Sequence, residues 1–463
     1  MHEEVEEISI QAQFEELITA DDDAALALFL NHQNISDAAD LIYNNEDHDI
    51  LIMSALSIHR AVSVFKILEL AEQKKIIKKL PSYKTAELLN ELPADDRTDF
   101  LEELPSSAVR ELIKTLNPEE RKITLSLLGY PENSVGRLMT PDYVYVYEYN
   151  TVAEVLDTIR LKGKNSETID VIYVINKNGE LLDDIRIREF ILATPEKKVS
   201  ELMDNRVISL NADDDQEVAS EKFRMNNRMA LPVISKSNKL LGIVTIDDIL
   251  WVAEEEYSED IQKIGGTEAL DEPYLSMPIF KLVRKRASWL VVLFLSEMLT
   301  ATAMQYFNKE LEAAIMLALF IPLIMSSGGN SGSQASTLII QAMALGEITV
   351  GDWWRIMRRE LVSGFMLGLI LGTIGLIRII AWQKLHIYDY GPYWELIAFV
   401  IFFSLMGIVL WGSLVGSMLP IILKKLKLDP AVSSAPFVAT LVDVTGIIIY
   451  FSFAYLFLKG ILL

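Results

Sequence analysis

The stretch APFVATLVDVTGIIIYF, residues 435–451, is apolar enough to belong to a membrane span, yet it carries one carboxylate, Asp443, in its middle. An ionised side chain at bilayer depth costs about 2.5–3.5 kcal/mol on insertion scales, so such a group is usually found lining a water-filled cavity or an ion path. That reading makes the chain a membrane protein whose last span carries a cation route. The plainer alternative is a carboxylate satisfied by a neighbouring helix or a buried cation, and Arg378 is the only cationic candidate inside a span.

Working outward from residue 443, five apolar spans are expected in a lipid bilayer, at about 287–307, 312–345, 361–382, 394–423 and 436–458. Basic residues orient them. Lys281, Arg284, Lys285 and Arg286 precede the first span, Arg355, Arg358 and Arg359 lie between the second and third, and Lys424, Lys425 and Lys427 lie between the fourth and fifth. The opposite loops hold only Lys309 and Lys384, with Lys459 at the C-terminal end, so the positive-inside rule predicts a cytoplasmic N-terminus and an external C-terminus. Span two is interrupted by SSGGNSGSQAS, residues 326–336, where small residues permit either a broken helix lining a cavity or a tight packing seam. Asn330 and Gln334, four apart, share a helical face and offer amide oxygens to a hard cation or to its water shell.

The charge is divided unevenly along the 463 residues. Of 42 basic and 65 acidic groups, only 14 and 10 lie from Lys281 onward, leaving 28 and 55 in the part before it. That acidic excess argues against nucleic-acid binding. Facing carboxylates at domain boundaries would need a divalent cation to offset their repulsion. With no cysteine, disulfides and thiolate metal sites are excluded. The acidic opening MHEEVEEISI has no apolar core of a signal peptide, which predicts a cytosolic first half.

That first half holds two repeats. Leu80, Leu92, Leu104, Leu116 and Leu128 recur at a constant interval, followed by Pro81, Pro93, Pro105 or, after Leu116, by Asn117-Pro118. Each Pro ends one helix and starts the next, so residues 1–130 are expected to form a helical superhelix. Further on, LMTPDYVYVYEYNTVAEVLDTIR from Leu138 aligns on LMDNRVISLNADDDQEVASEKFR from Leu202 at an offset of 64, and YVINKNGELLDDIRIREFI (173–191) aligns on PVISKSNKLLGIVTIDDIL (232–250) at an offset of 59. Alternating apolar runs between helical runs predict a β-α-β-β-α unit used twice, over 137–200 and 201–249. This pair resembles tandem cystathionine-β-synthase (CBS) domains, modules that commonly bind adenosine nucleotides such as ATP. The second copy keeps their pattern as Gly242, Thr245 and Asp248, where the Thr hydroxyl and the carboxylate would hold phosphate and ribose. The first copy has Asp183 and Arg186 in place of the Gly and Thr, and both an occupied and a purely structural pair fit these residues. Residues 250–280 then begin with an amphipathic helix that ends at a Gly pair, Gly265-Gly266.

Five stretches, YPENSVGRLMT (130–140), LGIVTIDDIL (241–250), EDIQKIGG (259–266), SSGGNSGSQAS and PFVATLVDVTG (436–446), occur in the order found in the MgtE family of magnesium channels, which the chain resembles over nearly its whole length. The resemblance implies a multi-domain α+β membrane protein: an all-α superhelical N-domain, a CBS pair, a connecting plug helix and a five-helix transmembrane bundle over 287–463, assembled as a homodimer with the pore on the two-fold axis. It implies that Asp443 is the pore carboxylate, aided by the Ala439 carbonyl and by Asn330, with Gln334 one turn further. It also implies regulatory Mg2+ sites on acidic interfaces, for which Asp95, Asp99, Asp247, Asp248, Glu254, Glu255, Glu259 and Asp260 are the candidates. Mg2+ gives up water reluctantly, so a pore that holds the hydrated ion through its outer shell avoids the dehydration cost.

Two rival classes are weaker. Gly329-Asn330-Ser331-Gly332 has the G-x-S-G pattern of an intramembrane serine protease, but the only His after residue 59 is His386, in a loop, so no enzymatic role is expected. A CBS-regulated secondary transporter of divalent cations such as Co2+ or Mn2+, coupled through Asp443, would be favoured by inverted repeats, and an odd set of spans shows none.

Overall fold

Leucine followed by proline sets the pitch of the first unit. Helices α1 (Leu70–Lys79), α2 (Ser82–Glu91), α3 (Ala94–Glu102), α4 (Ser106–Thr115) and α5 (Pro118–Leu127) break at Leu80, Leu92, Leu104 and Leu116, and Pro81, Pro93 and Pro105 stand at the N-caps. None of these five helices has a side-chain N-cap. At every second junction, a carbonyl near the end of one helix accepts a side chain of the next. Gln73 Nε2 donates to Phe65 O at 2.8 Å, Arg97 Nη1 to Leu89 O at 3.1 Å, and Arg121 Nε to Ile113 O at 3.0 Å. Each reaches back by the same distance along the chain, and successive donors are two leucine repeats apart. Arg97 is fully buried and also donates to Leu92 O, to Thr124 Oγ1 and to Glu120.

The computed structural model describes residues 9–20, 22–270, 274, 275 and 277–461, and divides into two units, Met1–Glu254 and Glu255–Leu463. In the first, the helices above lead into two three-stranded sheets of the same topology. Strands β1 (Tyr143–Tyr147), β2 (Thr168–Ile175) and β3 (Leu181–Arg186) form one sheet, with β1 parallel and β3 antiparallel to β2. Strands β4 (Leu210–Asn211), β5 (Ala230–Ile234) and β6 (Leu240–Thr245) repeat it. The pairs Val171↔Arg186, Tyr173↔Asp184 and Val174↔Asp183 recur, at the shorter of the two sequence offsets, as Ala230↔Thr245, Pro232↔Ile243 and Val233↔Gly242. Helix α6 (Val152–Lys162) recurs at the longer offset as α7 (Gln216–Asn226). Register and helix ends therefore follow the internal repeat.

The last CBS helix and the connecting helix are one element, α8 (Ile246–Ile264), which stops at Gly265 and at Gly266 with φ of +76°. The expected start at Leu250 is thus four residues late, because nothing between Thr245 and Ile264 breaks a helix: no Pro or Gly interrupts the run.

Among the described residues of the second unit, five helical segments are long and apolar enough to cross a membrane. They contain α9 (Ile279–Tyr306), α10 (Ile321–Ala344), α11 (Trp353–Lys384), α12 (Trp394–Lys425) and α13 (Ala435–Leu458). Helices α9 and α11 begin about two turns before their expected spans, taking the basic clusters into their first turns. The expected break at residues 326–336 is absent: α10 runs through it unbroken, and the irregularity is a 3₁₀ segment, Ile315–Phe320, ahead of it. The glycines are a packing seam. A Cβ added at Gly412 would lie 2.4 Å from Gly328 O, and one at Gly416 only 2.0 Å from Gly332 O, so α10 and α12 touch backbone to backbone. Ser331 and Ser413 share a hydrogen bond of 2.8 Å across that seam, which gives Ser331 a packing partner where a protease would need a base.

Candidate ion path and acidic cluster

Asp443 sits two turns into α13, half-buried, and among the described residues no hydrogen bond or ion pair reaches it. Arg378, the cation inside the expected spans that could have paired with it, lies over the Trp382 ring at 5.2 Å instead. A small residue on α10 brings that helix close. A Cβ at Gly329 would lie 3.2 Å from Ala439 Cβ and 3.7 Å from Asp443 Oδ1, so the glycine backbone borders the Ala439–Asp443 turn. The Ala439 carbonyl is inside a regular helix, whose pattern gives it the N–H of Asp443 and leaves one lone pair for a ligand. Asn330 and Gln334 do share the exposed side of α10, where the Asn330 amide donates to Ser326 Oγ at 3.3 Å.

The second candidate site lies in the first unit. Asp95 is buried, and its Oδ1 has no hydrogen-bond partner among the described residues. Burial, with repulsion from Asp248, Asp96 and Glu167, holds its carboxyl well above the usual carboxylate range. Burial likewise raises Asp96, although Lys66 pairs with it at 2.6 Å, and raises Glu167. The Asp248 carboxyl is pushed up to about 7 by burial and by repulsion from Asp247 and Asp96, against the pull of its bonds from Thr245. Burial alone would lower the Lys66 ammonium, yet Asp96, Glu167 and Asp95 outweigh it and raise it. Five carboxylates thus act on one another around a single lysine. Asp95, Asp247 and Asp248 were legible in the sequence; Asp96, Glu167 and Lys66 carried no local signal of this kind. Asp99, one turn beyond Asp95, is exposed.

Cation fit can be judged from the donors themselves. Among the described residues no three acidic or His side chains converge as a preformed metal cage. An ion keeping several waters needs none, and an unpartnered buried carboxylate oxygen among repelling neighbours suits a hydrated Mg2+. Later on α8, Glu254 and Glu255 are exposed, Asp260 is partly buried, and Glu259 pairs with Lys263, which reaches Asp429 Oδ2 at 2.7 Å.

The nucleotide expectation meets a different geometry. Thr245 Oγ1 donates to Asp248 Oδ2 at 2.6 Å, so the two groups expected to hold phosphate and ribose hold each other at the start of α8. Gly242 has a packing cause, since a Cβ there would lie 2.6 Å from Thr140 O. In the first copy Asp183 accepts the backbone N–H groups of Asp204 and Asn205 at 2.8 and 2.9 Å, a structural use of the replaced position. Asp184 pairs with Arg228 at 2.8 Å and joins the copies.

Comparison with known proteins bears on both sites. A family model described as a divalent cation transporter, MgtE, matches residues 321–453, one for the MgtE intracellular N domain matches 33–133, and the CBS domain model matches 135–195 and 199–255. The magnesium transporter MgtE of Thermus thermophilus is 38% identical over 346 residues, 75% of each chain, and that of Bacillus subtilis is 30% identical over 75% of each. The crystal structure of the cytosolic domain of the Mg2+ channel MgtE in complex with ATP shares 32% identity and a TM-score of 0.50, covering 52% of this chain and 99% of that one. Matches in all three regions, in one order and across three quarters of full-length relatives, leave one placement: the chain belongs to the MgtE family of membrane-integral divalent cation transporters.

Proposed function

We propose that the chain imports Mg2+ across the cytoplasmic membrane, with Asp443 as the ion-binding carboxylate of the path. The observation that supports this most is that carboxylate: at mid-span, half-buried, bordered by the Gly329 backbone and without a cation or donor beside it among the described residues. A group kept ionised there at a cost of several kcal/mol has a use for its charge. The glycine lets the α10 backbone approach the Ala439–Asp443 turn closely. In the homodimer that the family resemblance implies, a two-fold axis brings two Asp443 side chains to one ion, with Asn330 and Gln334 within reach of its water shell.

The acidic cluster supports a regulatory role. Mg2+ bound among Asp95, Asp96, Glu167, Asp247 and Asp248 would replace their repulsion with coordination and hold the path shut when cytosolic Mg2+ is high. Glu254, Glu255, Glu259 and Asp260 on the later turns of α8 take part in the same response. The basic clusters support a cytoplasmic N-terminus and an external C-terminus. ATP at the CBS pair rests on the relative's complex and on Gly242, Thr245 and Asp248, and it would have to break the Thr245–Asp248 hydrogen bond. Flux into liposomes, with each divalent cation in turn and Mg2+ varied on the regulatory side, tests the whole reading: Mg2+ flux that high regulatory Mg2+ does not suppress would end the gating part, and no Mg2+ flux would end the rest.

A further inference from the structure

Glu297 is a second carboxylate at bilayer depth, on α9, with no part in the path described so far. It lies in the apolar run LVVLFLSEMLTATAM, residues 290–304, and is exposed on the chain. Among the described residues no ion pair reaches it. Like Asp443, a carboxylate at that depth faces lipid at high cost, a partner, or water.

Its position is fixed by the packing of α9 against α13. Near one end Trp289 Nε1 donates to Ser434 Oγ at 3.1 Å, and the Trp289 and Phe437 rings lie 6.1 Å apart. At the other end Phe307 stacks on Phe451 at 4.6 Å. The two helices therefore run side by side in the same direction. Glu297 is eight residues beyond Trp289, about 12 Å, and Asp443 is six beyond Phe437, about 9 Å, so the two carboxylates share a depth to within about one turn. The charges of Glu297 and Asp443 repel each other. Leu293 and Thr300, the buried residues of α9, mark its packed side, and the helical period places Glu297 about 40° to one side of Leu293, at the edge of that side.

Thr300 supplies an independent observation. It is 3% exposed, and its hydroxyl has no hydrogen-bond partner among the described residues. Thr302, Thr373 and Thr440 each return their hydroxyl to the carbonyl four residues back. Thr300, one turn beyond Glu297, does not, and a buried unsatisfied hydroxyl is costly. A water in the shell of a bound ion would satisfy it.

We propose that Glu297 is a specificity-determining residue of the ion path, binding the same hydrated divalent cation as Asp443 through its water shell, with Thr300 holding one of those waters. In the dimer the Glu297 carboxylates would add to the negative field of the two Asp443 side chains, which favours a doubly charged ion over a monovalent one. The proposal rests on Asp443 being the path carboxylate, and the test separates the two. Full-length protein in liposomes is measured for Mg2+ flux against Mg2+ concentration and for Na+ leak, as wild type, Glu297→Gln, Glu297→Asp and Asp443→Asn. Glu297→Gln should raise the half-saturating Mg2+ about fivefold and lower the preference for Mg2+ over Na+, while Glu297→Asp stays within about twofold of wild type. If Glu297→Gln keeps wild-type half-saturation and preference while Asp443→Asn is inactive, Glu297 is not on the path. A fall in maximal flux with unchanged half-saturation would make its role structural and overturn the proposal as well. Wild-type behaviour of Asp443→Asn would instead remove the path reading on which it depends.

Discussion

Around Asp95, five carboxylates share one lysine, whereas Asp443 has neither a cation nor a hydrogen-bond donor beside it among the described residues. The crowded acids raise one another's pKa values, so any cation or proton that arrives changes how tightly the surrounding elements hold together. Asp443 sits on a regular helix beside a seam of touching backbones. On the proposed reading both arrangements attract Mg2+, and only the first would convert occupancy into movement. The second leaves its field free for an ion that must bind weakly enough to leave.

This contrast breaks first at Asp443. Asp443→Asn keeps size and loses charge, and it should lower Mg2+ flux in liposomes more than about tenfold while the protein remains folded; flux near wild type would mean the isolated carboxylate is only a packing residue. Rigidity of the seam is the next test. Gly416→Ala forces a Cβ to within 2.0 Å of Gly332 O and should cost about 3 kcal/mol or more, read as a lowered unfolding temperature of the solubilised protein. An unchanged midpoint would show that α10 and α12 can part cheaply, and the contrast between a fixed path and a movable sensor would blur.

Smaller effects sharpen the sensor side. Asp95→Asn with Asp248→Asn should raise the Mg2+ needed to protect residues 90–105 from proteolysis by several-fold, because two of five ligands lose their charge. A protection curve that stays in place on the Mg2+ axis would show that the cluster holds no regulatory ion. Acid should imitate the ion in part. Asp248 has its folded-state pKa raised to about 7 from an ordinary value near 3.8, so its neutral form is favoured in the folded state. The stability it contributes is fully present below the ordinary value and is lost as pH rises through about 7. Without Mg2+, residues 90–105 and 240–254 should therefore be cut more slowly at pH 6 than at pH 8; equal rates would show that the raised pKa values are not coupled to compaction.

Much of the fold could be read from the chain because its signals are periodic. The two offsets of the internal repeat carry over to strand register and helix ends, since apolar alternation determines which strand residues face inward. The 326–336 run read ambiguously because glycine weakens a lone helix and equally permits close packing, and only Gly412 and Gly416, distant in the chain and neighbours in space, decide between them. At the acidic cluster, Asp247 and Asp248 follow a known pattern, but Glu167 precedes β2 and Lys66 lies on an earlier helix, so no local spacing could bring them together. Glu297 falls under the same rule as Asp443, a lone acid in an apolar run, and the sequence reading passed over it.

The donors Gln73, Arg97 and Arg121, each stapling a carbonyl of the preceding helix, define the quantum of length in the N-terminal scaffold. Helices recur with every leucine repeat but staples only with every second one, so the unit that can be copied or deleted without a loose end is a helix pair. Excising a single repeat would leave one helix end uncapped and present the wrong side of the next helix to its neighbour. Excising two together would shorten the scaffold by one step and keep every staple in phase. Among natural or engineered variants, insertions and deletions across residues 70–127 should therefore come as whole helix pairs.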